Sequence, residues 1–484
     1  MRNALGGLFF LGLIAASAAP GSAQEVGGAP PDSMTASAAT GTAANAAPEA
    51  AQVESYWGPI PTGEGAPRAV IRTRSAHPVE HAILAPFYIV TYPIFLTTRG
   101  LKEGLVFLDE RGLLPRTGAA LPIRIGRVAA GPALSYGGRA GFGAGGTIVV
   151  LGDREPADWI KLRYLATVNG MHRASAGLRA PWGREGKLEI GGGYRIERNA
   201  RFYGLGPSSR KADRSYFTEE QHWAGAGYRR ALGGPLAAEW SAIYTSIATR
   251  GPRPEDGPDL GVTFAAASPP GYGARSEGVL HGLLLRLDTT KETGRPGSGV
   301  LAQAQAGYFD PTGKPGGAFW RYSGEAGAFM PLWFTDRTLA LRGAVSWIEA
   351  PGNGTVPFTR LVTNYSGKSL RGYGDYRWRD RGLLDLTAEY RWPVWALDRA
   401  HGTGVDAYAF VNSGQVFGEW RQVASRLLRT SWGGGFRAIT EKGFGGRLEI
   451  ARSSESTEIR LQADQMFDFK EIGLFGGNQH VAAD

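Results

Sequence analysis

Arg371-Gly372-Tyr373 lies in a long loop between Ala350 and Arg381, and Glu389 lies on the strand that follows it. A guanidinium can make paired, charge-assisted hydrogen bonds to a carboxylate. Gly372 lets the loop backbone approach a wall without a Cβ in the way. The strand predicted over Gly382 to Trp395 puts Leu384, Leu386, Ala388, Tyr390, Trp392 and Val394 on one face, with Asp385, Thr387, Glu389 and Arg391 on the other. Such alternation makes a strand with lipid on one side and a wet lumen on the other. An Arg-Gly pair in a long loop is often merely solvated. Here Glu389 faces inward and needs a cation, so Arg371 is expected to dock on it.

Other constellations carry less. Gly141-Phe142-Gly143-Ala144-Gly145-Gly146 has the spacing of a dinucleotide-binding turn, but that chemistry needs a helix after it and Thr147 to Leu151 reads as strand. Gly367-Lys368-Ser369 ends like a phosphate loop, but Val362 stands where the first glycine belongs. The 7 histidines have no clustered ligand spacing. No Gly-x-Ser-x-Gly occurs, so a serine hydrolase is not expected. The expectation is no enzyme, no metal and no cofactor.

The elements that must position Arg371 follow from composition and alternation. Residues 1–23 read as a signal peptide, with Arg2 before an apolar run and Gly21-Ser22-Ala23 at the cleavage site. Residues 24–55 are rich in Ala, Gly, Pro and Ser and read as a disordered low-complexity tail. Residues 56–121 read as a periplasmic or interfacial segment with a short helix opened by Pro93. The chain has no cysteine, which excludes disulfides and thiolate chemistry. Its net charge of +9 comes from 53 basic and 44 acidic residues, mostly interleaved, so solvated loops and a polar lumen are expected and nucleic acid is not.

Beyond Pro122 about sixteen segments alternate, an even number as single-chain bacterial barrels require. They start near Ile123, Arg139, Asp158, Met171, Lys187, Thr218, Pro235, Arg275, Ser298, Gly316, Arg337, Gly382, Thr403, Arg429, Phe444 and Thr457. The long connections, Asn199 to Phe217, Thr249 to Ala274, Ala350 to Arg381 and Gln415 to Leu428, all fall on odd positions. Long extracellular loops and short periplasmic turns have this parity. The expectation is an all-β, sixteen-stranded antiparallel transmembrane β-barrel over 122–469, with an inward-folded extracellular loop and a C-terminal tail over 470–484.

Several segments, in order, resemble the BamA/TamA-type bacterial surface-antigen family of outer-membrane barrels. Leu370-Arg371-Gly372-Tyr373 resembles that family's Val-Arg-Gly-Phe loop tip, and Ala388-Glu389-Tyr390-Arg391-Trp392-Pro393 resembles the strand whose Glu receives the arginine. Phe410-Val411-Asn412-Ser413-Gly414 resembles the next strand's Phe-x-Asp-x-Gly. Leu287-Asp288-Thr289-Thr290, the turn around Pro296, and Phe202-Tyr203-Gly204-Leu205-Gly206-Pro207 fit the family as well. The resemblance implies a loop lock of Arg371, Gly372, Tyr373, Glu389 and Asn412. Because Asn412 replaces an Asp, Arg371 is expected to meet one carboxylate, with the Asn412 amide oxygen nearby. It also implies an assembly signal at Gln462, Phe467 and Phe469, and residence in the cell outer membrane among lipid and lipopolysaccharide. Insertion or transport of client proteins with assembly machinery is the implied function. The N-terminal region does not resemble the family's periplasmic interaction domains. A loop-gated pore, a lipid-handling barrel or a structural surface antigen without insertase activity is the other reading.

Overall fold

The computed structural model describes residues 123–135, 141–152, 159–183, 185–290, 297–313, 316–332, 337–352, 354–364, 368–398, 403–440 and 443–462. The readings of 1–23, 24–55, 56–121 and 470–484, and of Phe467 and Phe469, lie outside the described residues. The strands are β1 (Ile123–Ile125), β2 (Val128–Ser135), β3 (Gly143–Leu151), β4 (Trp159–Thr167), β5 (His172–Trp182), β6 (Gly186–Phe202) and β7 (Ser215–Gly233). They continue as β8 (Leu236–Arg250), β9 (Arg275–Asp288), β10 (Gly299–Pro311), β11 (Phe319–Pro331), β12 (Thr338–Glu349), β13 (Val362–Thr363) and β14 (Arg379–Asp380). Last come β15 (Gly382–Asp398), β16 (Thr403–Phe417), β17 (Arg429–Thr440), β18 (Gly443–Ser453) and β19 (Thr457–Gln462).

From β2 to β12 each strand pairs antiparallel with the next, β12 pairs with β15, and the succession runs on to β19. Among the described residues this makes sixteen consecutive strands, with β13 and β14 set apart as a small hairpin inside the β12–β15 connection. The predicted starts at Arg275, Gly382, Thr403, Arg429 and Thr457 coincide with strand starts.

The first predicted strand is corrected. Gly126 takes a left-handed φ of 60°, which breaks the run from Ile123 and folds β1 back onto β2. The pairing opposes Ile123 to Ala130 and Ile125 to Val128, so β1 lies along one edge of β2 while β3 lies along the other.

Alternation sets the two faces. Outward positions expose Ile148, Leu162, Trp240, Leu283, Leu386, Val411, Trp432 and Ile450, while inward Asp385, Glu389, Arg391, Asp406, Arg437 and Glu449 are buried. A one-residue slip would exchange the two sets, so register is tightly specified. The sheet also curls. Lys211 Nζ in the β6–β7 connection donates to the Glu455 carbonyl in the β18–β19 connection at 2.8 Å. In a flat sheet those hairpins would stand roughly 48 Å apart at the usual strand spacing.

The long connections, 203–214, 251–274, 350–381 and 418–428, share one end of the sheet, and tight links such as 183–185 and 234–235 share the other. Among the described residues no helix is long and apolar enough to cross a membrane. The apolar core lies between the β12–β15 connection and the inner face, where Phe202, Phe217, Phe358, Leu370, Tyr373 and Trp378 pack.

Candidate functional site

The β12–β15 connection brings Arg371 to the inner face of β15, β16 and β18. Its side chain has no solvent exposure. Nη1 donates to Glu389 Oε1 at 2.6 Å, Nε donates to Glu449 Oε1 at 3.2 Å, and Nη2 donates to Glu449 Oε2. The guanidinium carbon sits 3.4 Å from the Phe410 ring centroid, so its faces are covered by an aromatic while its edges meet carboxylates. Glu389 Oε2 in turn accepts from Arg391 Nη2 at 2.8 Å, and Glu449 Oε2 accepts from the Tyr408 hydroxyl at 2.8 Å. Every charge in this cluster has a partner of opposite sign, which is what makes charges bearable away from water.

The expectation of a single carboxylate is thereby overturned. Glu449, two residues above Arg447 on the inward face of β18, is the second one. Asn412 has a different role as well: its Oδ1 accepts the Arg371 backbone N–H at 3.0 Å and not the guanidinium. Its Nδ2 donates to Asp385 Oδ1 at 2.9 Å and to Thr387 Oγ1 at 2.8 Å. Asp385 Oδ1 also accepts the Leu370 N–H at 2.7 Å, and Asp385 Oδ2 accepts from Arg342 Nη1 at 2.8 Å. Two successive loop N–H groups are thus held by side chains of two neighbouring strands.

That grip keeps Leu370 at a φ of 50°, a left-handed conformation costing a branched residue about 1–3 kcal/mol. Gly372 follows at 79°, where an added Cβ would stand 3.3 Å from Ser431 Cβ and 3.4 Å from Ala451 Cβ. Its carbonyl accepts from Ser453 Oγ at 2.7 Å and Ser456 Oγ at 2.9 Å. Tyr373 is buried, and its hydroxyl donates to the Thr430 carbonyl at 3.3 Å. Gln462 lies on β19, opposite Arg447 in the β18 ladder.

Two further anchors escaped the sequence reading. Arg360 donates to the Ser276 carbonyl at 2.9 Å and the Thr245 carbonyl at 3.3 Å, and burial draws its guanidinium down to about 10. Arg377 grips both Glu455 oxygens, at 2.8 and 2.9 Å, and donates to Ser209 at 2.8 Å. Phe358 meets Phe202 and Phe217 edge to face at 5.3 and 5.2 Å. In the β8–β9 connection, burial with Asp259 beside it pushes the Tyr272 phenol up to about 12. The signal for both arginines was their place in the same long loop as Arg371, but nothing local names a carbonyl acceptor.

Fold and site together define a sixteen-stranded up-and-down sheet whose longest connection is pinned on its inner face. Residues 272–445 match the Omp85 superfamily domain, in line with the resemblance carried by the loop and strand motifs. No protein with a curated description has a significantly similar sequence. BamA from Haemophilus ducreyi, solved without its POTRA domains 1–3, superposes with a TM-score of 0.52 at 14% identity, covering 69% of each chain. CdiB from Escherichia coli gives 0.45 at 14% identity, over 72% of this chain and 62% of that one. CdiB from Acinetobacter baumannii gives 0.41 at 10% identity, over 68% and 54%.

Proposed function

We propose that the sheet closes into a barrel across the outer membrane and that 350–381 is an extracellular loop folded into its lumen. In this reading the chain is exported by its signal peptide and assists insertion or transport of other proteins, with no catalytic step and no cofactor. Closure is supported by the even strand number and by the curl. It is required because hydrocarbon offers no partner to an open strand edge. The exposed apolar outer residues match a lipid-facing belt. Gln462, with Phe467 and Phe469 beyond it, serves as the signal read by the assembly machinery.

The observation that carries the reading is Arg371, without solvent exposure between Glu389 and Glu449. Its match to the family motif lies within the Omp85 domain. Cross-linking in intact outer membranes followed by purification tests it: assembly subunits or nascent barrels should co-purify, and outer-membrane protein levels should fall on depletion. A loop-gated pore is the second reading, favoured by the lodging of 350–381 on the inner face. It expects Arg371→Ala to raise envelope permeability while outer-membrane protein levels stay constant.

A further inference from the structure

A groove of about 560 Å³ lies on the outer face of β3–β6. Gly146, Ala176 and Gly192 form its floor, and Leu162, Tyr164 and Tyr194 stand beside them. The ladders explain the shape: Gly146 opposes Tyr164, Tyr164 opposes Ala174, and Ala174 opposes Tyr194, so large and minimal side chains alternate across the strands. On β8 and β9 the outer face instead carries exposed Trp240, Leu283 and Leu285.

Phenol, imidazole and guanidinium groups gather toward the end of the groove nearest the long connections. The Tyr164 hydroxyl lies 3.1 Å from His172 Nδ1, and the Tyr194 ring lies 4.9 Å from the His222 ring. Beyond them Arg250 and His222 each lie 3.4 Å from Glu220. Arg198 lies against the β4–β5 turn, its Cδ 2.8 Å from where a Cβ on Gly170 would stand. The rim carries Arg198 and Arg250 beside Glu220, with Arg253 at the same turn paired to Asp256, and Arg250 is more than half exposed.

An apolar trough ending in a guanidinium- and hydroxyl-bearing rim matches a lipid with an anionic phosphate headgroup. The volume falls in the roughly 300–1,000 Å³ range of small-ligand sites. We propose that this groove binds one outer-membrane lipid specifically, with an acyl chain on the Gly146–Gly192 floor and its phosphate at Arg198 and Arg250. The proposal rests on the reading above that the outer face meets lipid.

The full chain, reconstituted in phosphatidylcholine nanodiscs with a trace of phosphatidylglycerol bearing a photoreactive acyl chain, tests it by mapping adducts after photolysis. Adducts should concentrate on Leu162, Tyr164 and Tyr194, and unlabelled phosphatidylglycerol should displace them while inorganic phosphate does not. Gly146→Leu should cut this labelling at least fivefold, because a Cβ there meets nothing closer than the Gly131 carbonyl at 3.8 Å and the side chain can fill the trough. Arg198→Gln with Arg250→Gln should abolish the preference for phosphatidylglycerol over a neutral diacylglycerol analogue. Labelling spread evenly over Leu283, Leu386 and the groove, or unchanged by Gly146→Leu, overturns the site. Displacement by inorganic phosphate, or adducts to a co-purified protein in place of lipid, overturns the lipid assignment. If Gly146→Leu does not fold, failure of unlabelled phosphatidylglycerol to compete in the wild-type chain overturns the site by itself. Absence of labelling on every outward residue, Leu386 included, refutes the membrane barrel instead.

Discussion

The inner face changes character between β12–β18 and β3–β4. On the first wall, Arg342, Asp385, Glu389, Arg391, Asp406, Arg437, Arg447 and Glu449 all point inward and all are buried. They hold one another and the loop tip. On the second wall the inward positions of β3 are Gly143, Gly145, Thr147 and Val149, and Arg163 on β4 is exposed. A Cβ at Gly145 would run into the backbone of Tyr164 and Leu165, so the glycine permits a close strand approach that no side chain could share. One wall is a charge network that depends on its occupant, and the other is a plain surface. Their outer faces are alike, with Leu386 and Leu162 similarly exposed. Sensitivity to substitution should therefore differ inside and agree outside.

The sharpest break comes from Arg371→Ala, which strands carboxylates on two strands at once. We expect it to cost about 3–5 kcal/mol, read as a lowered urea midpoint with early loss of the heat-modifiable gel band. Equal midpoints for variant and wild type would show that the network does not need the loop. Outside, Leu386→Arg and Leu162→Arg should each cost roughly 2–4 kcal/mol where they lie near the bilayer midplane. A large cost for only one of them in urea titrations in liposomes would mean that the two outer faces are not both in lipid. Asn412→Asp looks harmless from the motif but should cost about 1–3 kcal/mol, because it removes a donor and sets a second carboxylate against Asp385. A stabilised Asn412→Asp chain in the same titration would contradict the observed amide orientation. On the plain wall, Thr147→Ala should stay within about 0.5 kcal/mol of wild type, and a larger loss there would erase the contrast.

Strand positions were legible because inward and outward residues alternate with a period fixed by the pleat, as Asp385, Leu386, Thr387, Ala388 and Glu389 do. Arg371, Gly372 and Glu389 were legible because a lumen-facing acid requires a cation. Glu449 was written in the same code, between Leu448 and Ile450, but the motif drew attention to Asn412 as the missing acid. The role of Asn412 depends on which strand neighbour meets a loop N–H, a matter of three-dimensional register that spacing does not carry. The fold-back at Gly126 was hidden for a related reason: a single left-handed glycine reverses the chain without disturbing the hydrophobic pattern. Arg360 and Arg377 bind carbonyls and a distant turn, and no local signature marks such partners.

The position of Glu449 also orders events in time. Arg371 is separated from Glu449 by 78 residues, and Gly372 is held by Ser453 and Ser456 beyond it. Until β18 has joined the sheet, Arg371 has Glu389 as its one acid, with Phe410 over its face and the two backbone grips beside it. Contacts that span such lengths of chain form late, after the entropy of closing the intervening segment has been met. The pinning of the tip is therefore a completion mark: a chain halted before its last hairpin carries an arginine that has not yet found its second acid.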